Sequence, residues 1–148
     1  MSGALTMLII EAVCALLAFL AVEILVFIRY DMNGNLKIYR ASAGSGKTFT
    51  LALEYIKLLI ADPGAYRRIL AVTFTNKATA EMKERILGKL YGVAHGLKSA
   101  ADYTAKIKAQ LPAYSDGEIR QRASEAMENI LHDYGHFRIQ TIDAFFQS

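Results

Sequence analysis

Eight residues at positions 41 to 48, Ala41-Ser42-Ala43-Gly44-Ser45-Gly46-Lys47-Thr48, have the types and spacing needed to hold phosphate. A Gly-rich turn that enters a helix points successive backbone N–H groups inward, and the positive end of the helix dipole strengthens the field there. Gly44 and Gly46 permit close backbone approach and positive φ angles, both of which a side chain would obstruct. Lys47 reaches the β and γ phosphates of a bound nucleotide, and the Thr48 hydroxyl ligates Mg²⁺, which makes these two the catalytic positions of the loop. Ala41 departs from the general form G-x-x-x-x-G-K-[ST]. It stands at the end of the preceding strand, farthest from the phosphates, where a small residue suffices. The bland alternative is a Gly/Ser-rich turn with a chance lysine.

The elements around the loop supply the context it needs. Residues 36–41, LKIYRA, read as a strand that ends at the turn, and residues 48–60, TFTLALEYIKLLI, read as a helix stopped by ADPG. Residues 67–74, RRILAVTF, form a second apolar run of strand length. After it, Ala80, Met82, Ile86, Leu87 and Leu90 fit one face of a helix ending near Gly92. Such alternation predicts an α/β fold with a parallel sheet covered by helices. Residues 98–134 are polar and helical in composition. There Ser115 and Glu118 have the capping-box spacing, which places a helix over residues 116–132 with Gly135 as its stop. Residues 137–143, FRIQTID, alternate as a third strand. Neither repeats nor low-complexity segments interrupt the chain.

A second candidate site follows the second strand, at Thr73-Phe74-Thr75-Asn76-Lys77-Ala78. Small polar groups and a lysine just past a strand end suit phosphate oxygens of a nucleic acid, which accept such contacts without regard to sequence. The same residues also suit a plain helix cap, made by Thr75 or Asn76. Local chemistry alone leaves both readings open.

Taken together, ASAGSGKTFTLALEYIKLLI and RRILAVTFTNKATAEMKERI resemble the first two motifs of the UvrD/Rep-type superfamily 1 DNA helicases, and especially the AddA/RecB-like branch. The resemblance covers residues 36–148 and is strongest over 36–87. In that family Ala commonly opens the loop, so Ala41 reads as a family trait. The resemblance implies a P-loop, RecA-like fold with a helical insert at residues 98–134, binding ATP with Mg²⁺ at residues 41–48. It also implies contact with single-stranded DNA through Thr73, Phe74, Thr75, Asn76 and Lys77. The closing IQTIDAFFQS is similar to the family's T-x-H-S-F motif, with Asp143-Ala144 where His-Ser is usual. There Thr141 and Phe145 are implied to meet DNA, the aromatic by stacking at about 1 to 3 kcal/mol per base. Phe145 and Phe146 are also core candidates, and at least one of them is expected to be buried. A competing reading makes Asp143 the metal-shell acid of a Walker B strand, although that strand alternates and no Glu follows Asp143.

Hydrolysis also needs a metal-shell acid, a group to orient water and usually an arginine. In the family these come from a D-E-x-x-D motif and a second RecA-like domain, neither of which is visible before Ser148. The adenine-reading Gln upstream of the loop is also missing, since Gln110 is the first Gln. The reading is therefore the N-terminal part of a 3′ to 5′ helicase. A nuclease domain and a second subunit of a recombination or repair complex are implied by the AddA/RecB branch.

Residues 4–28 are apolar except for Thr6, Glu11 and Glu23, and about 20 apolar residues let a helix cross a bilayer. The segment 1–31 is therefore a candidate membrane span or an upstream extension ahead of a start at Met32. Each glutamate costs about 2 to 3 kcal/mol near a bilayer centre. Arg29, Lys37 and Arg40 follow the run and no basic residue precedes it, so a span would leave the P-loop domain in the cytoplasm. The alternative function is then a membrane-tethered nucleotide-binding module without helicase activity; without the span the protein is cytoplasmic. A small kinase is disfavoured, because no acceptor site or lid is recognisable. From Arg29 onward, 17 basic residues face 12 acidic ones, a surplus compatible with a polyanionic partner. The single cysteine, Cys14, excludes an intramolecular disulfide framework.

Overall fold

The computed structural model describes residues 27–30, 36–39 and 47–147, with side chains from residue 48 onward. The apolar run up to residue 26 and the loop residues 41–46 lie outside the described residues, and with them the expected span and the expected phosphate cradle. Phe27 and Ile28, read above as the end of the apolar helix, instead begin a strand. This strand, β1 (Phe27–Tyr30), pairs antiparallel with β2 (Leu36–Tyr39), with Phe27 opposite Tyr39 and Tyr30 opposite Leu36. The connecting residues contain Asn33-Gly34, the pair that tight hairpins favour, a signal obscured by the apolar run before it. Among the described residues β2 pairs with β1 and not with the parallel pair described next.

That pair is β3 (Ala71–Thr73) beside β4 (Ile139–Thr141), in the register Ala71 to Ile139, Val72 to Gln140 and Thr73 to Thr141. Both strands are shorter than expected. Ahead of β3, residues Ala65–Arg68 coil into a 3₁₀ turn. There the buried Tyr66 places its hydroxyl 3.1 Å from both the Asn129 carbonyl and Asp133 Oδ2, which draws the segment against a helix. Beyond β4, the Thr141 hydroxyl accepts the Ala144 N–H at 3.2 Å and starts α5 (Ile142–Gln147) where the strand was expected to continue.

Helix α1 (Lys47–Ala61) is the hub of the core. Leu51, Ala52, Leu53, Tyr55, Ile56, Leu58, Leu59 and Ile60 are all buried, so the helix is apolar almost all round and must be enclosed. Three helices enclose it: α2 (Asn76–His95), α3 (Ala101–Gln110) and α4 (Asp116–His132). Each contributes one stripe. Met82, Ile86, Leu90 and Val93 come from α2, Tyr103 and Ile107 from α3, and Ile119, Ala123, Ala126 and Ile130 from α4. The α4 stripe repeats at the i, i+4, i+7 spacing of a helix face, with alanines in the middle two positions, which lets the helices approach closely.

Helix ends carry their own explanations. The capping box expected at Ser115 is present, with the Ser115 N–H donating to Glu118 Oε2 at 2.7 Å and the Glu118 N–H to Ser115 Oγ at 3.3 Å. Asp133, not Gly135, follows the last residue of α4. Helix α2 runs through Gly92, its expected end, and stops at Gly96, whose φ of 63° is left-handed. The Leu97 N–H returns to the Gly92 carbonyl at 2.8 Å, closing a Schellman turn. The last carbonyls of α1 are met from another helix. Arg122 Nη1 donates to the Ile60 carbonyl at 3.1 Å and the Ala61 carbonyl at 3.2 Å, a cation at the negative end of the dipole. Its guanidinium also lies 4.7 Å from the Tyr114 ring centre. Arg122→Met keeps the stem and removes both bonds, so a loss of about 1.5 to 3 kcal/mol is expected in urea unfolding. An unchanged midpoint would show that water replaces the guanidinium without cost.

Acid sensitivity is set around α4. A hydrogen bond from Lys108 holds Asp116 below the usual carboxylate range, the Ser115 backbone N–H does the same for Glu118, and His136 for Asp133. Carboxyls with depressed folded-state values stabilise the fold above their unfolded pKa and lose that contribution as pH falls through the folded one. The melting temperature should thus be flat from neutral pH down to about 5 and decline below about 4. Glu118→Gln should make the decline shallower, and an identical decline would exclude Glu118 from it.

Candidate nucleotide and nucleic-acid site

Lys47 and Thr48 are the first two residues of α1. Along the chain β2 precedes α1, and residues 40–46 between them lie outside the described residues. The first N–H groups of a 15-residue helix lack intrahelical acceptors, and the dipole adds positive potential at that end. Thr48, half-buried, is the second residue of this helix. Ala41, Ser42, Ala43, Gly44, Ser45 and Gly46 lie outside the described residues.

The second candidate site stands at the C-terminal end of the parallel pair. Thr73 and Thr141 occupy the same rung, and each strand turns into a helix within two residues. Both threonines are buried. Thr73 Oγ1 donates to the Thr75 carbonyl at 3.2 Å and shares a hydrogen bond with Thr79 Oγ1. Thr75 Oγ1 accepts the Ala78 N–H at 3.0 Å, so Thr75 is the N-cap of α2 and Asn76 is its first residue. The capping reading of Thr75 is therefore what its hydroxyl does, and the Thr141 hydroxyl does the same for α5.

The groups left facing outward are Phe74, Asn76 and Lys77. Phe74 is 56% exposed, and the Lys77 ammonium makes only a 3.9 Å approach to Glu81 while 85% exposed. Neither Phe145 nor Phe146 is in the core, contrary to expectation. Phe145 is half-buried and Phe146 is 58% exposed, and the two rings meet edge to face at 5.9 Å. The reason is geometric: α5 leaves β4 without a loop and packs mainly on the strand ends β3 and β4, away from the helical core. Asp143, the Walker B alternative, is exposed in the first turn of α5 and not at a strand end. Among the described residues no group of three or more His, Cys, Asp or Glu could hold a metal ion.

One polar network had no signal in the sequence. Asp133 accepts from Tyr66, from Arg67 Nε at 2.7 Å and from His136 Nδ1 at 2.6 Å, tying the turn before β3 to the end of α4. Its members are 66 or 67 positions apart or close a turn, which no local spacing reveals. Tyr66 and Asp133 raise the pKa of Arg67, which stays charged.

The family described as "UvrD/REP helicase N-terminal domain" matches residues 26–145 of this chain. The chain belongs to that family. The match begins just ahead of β1 and takes in both strand pairs and every described helix up to Phe145. This UvrD/REP-type domain is 30% identical over 117 residues to an ATP-dependent helicase/nuclease subunit of Alkaliphilus metalliredigens, covering 79% of this chain and 9% of that protein. It is 46% identical over 66 residues to the "RecBCD enzyme subunit RecB" of Buchnera aphidicola, covering 39% and 6%. Against the "ATP-dependent DNA helicase UvrD1" of Mycobacterium tuberculosis it is 52% identical over 48 residues, covering 32% and 6%. The chain thus spans less than a tenth of the length of these curated relatives. No solved structure matches it significantly. The helix-rich α/β architecture with its small parallel sheet is consistent with a UvrD/REP N-terminal domain. Among the described residues no helix is long and apolar enough to cross a membrane.

Proposed function

We propose that this UvrD/REP-type domain is the ATP-binding N-terminal part of a 3′ to 5′ DNA helicase with a RecA-like P-loop fold. Residues 41–48 cradle the triphosphate, Lys47 meets the β and γ phosphates and Thr48 helps to hold Mg²⁺. Single-stranded DNA crosses the ends of β3 and β4. The observation that carries the reading is the shared rung of Thr73 and Thr141, which brings two segments 68 positions apart to one sheet end. Because the hydroxyls of Thr75 and Thr141 are committed to caps and that of Thr73 to Thr75 and Thr79, the DNA contacts fall to the backbone there and to Phe74, Asn76, Lys77 and Phe145.

Magnesium, when bound, supplies charge neutralisation on the phosphates. The chain's own part is positioning: the α1 N-terminus and Lys47 orient the phosphates, and the strand ends orient DNA. A metal-shell acid, a water-orienting group and an arginine are still required for turnover. The 148-residue chain alone should therefore bind ATP without unwinding DNA. The names of the relatives point to a setting in a helicase and nuclease assembly of more than one polypeptide.

Binding of Mg-ATP to the chain and to Lys47→Ala tests the reading. Loss of a buried charged partner costs about 2 to 5 kcal/mol, so affinity should fall about 30-fold or more. Equal affinities would sink it. ATP turnover by the chain that vanishes in Lys47→Ala would direct the search for an acid to Asp143.

A further inference from the structure

A second cluster stands apart from the strand ends, on the helices. Phe49, in the first turn of α1, packs on Tyr103 of α3 with ring centres 4.4 Å apart. Three cations surround this pair. Lys106 Nζ lies 5.7 Å from the Phe49 ring centre and Lys89 Nζ 5.4 Å from that of Tyr103. Arg85 stands beside the Tyr103 hydroxyl, where its charge opposes the upward effect of burial on that phenol. Arg85 and Lys89 are one turn apart on α2, and Tyr103 and Lys106 are three apart on α3, so each pair shares a helix face.

Their charges are unspent. Lys57, Arg67, Arg68, Lys77 and Lys108 each reach a carboxylate within 4 Å. Among the described residues no such pair involves Arg85, Lys89 or Lys106. Lys89 donates to the Ser99 carbonyl at 2.5 Å, which fixes its place without neutralising it. Asp102 is the acid whose charge Tyr103 feels, one carboxylate against three cations. Tyr103 is 2% exposed, yet its hydroxyl lacks an aligned hydrogen-bond partner among the described residues, the guanidinium standing near without closing the bond. Like charges gathered in excess over acids repel one another, and an arriving anion relieves that repulsion. Because Tyr103 is buried and each ring already has an ammonium over it, base stacking is not the contact offered. Phosphate oxygens are.

We propose that Arg85, Lys89 and Lys106, gathered around the Phe49–Tyr103 pair at the head of α1, form a second, sequence-independent path for a DNA phosphate backbone. It extends DNA contact from the strand ends onto the α2–α3 face, and it rests on the reading of the domain as a DNA-binding one. Contacts of this kind release counterions, so they are read in the salt dependence of binding.

The test is fluorescence anisotropy of a labelled oligothymidylate with the full chain over a range of salt. For R85Q/K89Q/K106Q the slope of log affinity against log salt should fall by about 2, at about 0.7 per lost phosphate contact. The charge-preserving R85K/K89R/K106R should restore it, and Mg-ATP affinity should not change. If the triple variant fails to fold, Lys106→Gln alone, on an exposed position, should lower the slope by about 0.7. An unchanged slope, with Lys77→Gln still lowering it, overturns this path and leaves the strand-end site standing. Loss of Mg-ATP affinity in the triple variant overturns it by making the anion the nucleotide. A wild-type chain that binds no DNA overturns both.

Discussion

Ile56→Ala should lower the unfolding free energy of the domain by about 2 to 5 kcal/mol, the range for large-to-small changes at sealed core positions. Ile56 is fully buried near the middle of α1, inside the cage made by α2, α3 and α4. Removing three carbons there leaves a void that no single neighbour can fill, because its wall is shared among several elements that also touch one another. Against a total stability of about 5 to 15 kcal/mol, such a loss depopulates the fold measurably at physiological temperature. Urea unfolding followed by circular dichroism gives the number. A loss below about 1 kcal/mol would mean that the helical cage collapses onto α1 more freely than its packing implies.

Gly92→Val should be the second most damaging change. A Cβ built at Gly92 comes within 2.6 Å of the Ala100 Cβ and 3.8 Å of its Cα, so the turn at Lys98–Ala100 rides directly on the helix backbone. Overpacking of this kind costs about 1 to 3 kcal/mol, and the β-branched side chain also resists a helix interior. The Gly92 carbonyl anchors the Leu97 N–H, so displacement there also opens the turn that reverses the chain into α3. Gly88, four residues earlier on the same helix, meets no atom within 4 Å. Gly88→Ala is the matched control and should gain up to about 1 kcal/mol from helix propensity. Equal outcomes for the two glycines would refute the close-approach account.

Much of this was legible from local pattern. The apolar run after Lys47, the Met82, Ile86 and Leu90 stripe of α2, and the Ser115–Glu118 box each encode their structure within a few residues and appear where expected, whereas Ala80, read as part of that stripe, is exposed. The misreadings share a cause, which is that the deciding contact is remote. Gly92 resembles a helix stop until Ala100 is seen against it. Arg67 and Arg68 resemble a strand entry until the neighbouring Tyr66 is seen bound to α4. Phe145 and Phe146 have the composition of core residues, but α5 turns away from the helices and leaves them at the rim. At the candidate site, hydrogen bonds divide the residues that the sequence singled out: Thr75 and Thr141 spend their hydroxyls on helix starts, and Phe74 and Lys77 are left outward.

The shared rung of Thr73 and Thr141 has a mechanical side. Two chain segments, one strand end running straight into its helix and the other reaching its helix after two residues, are riveted by the hydrogen bonds of one parallel ladder. A pull on either helix start is shared by the other within the stretch of those bonds. Whatever lies across this edge is therefore gripped by a single stiff jaw, not by two loops free to yield one at a time.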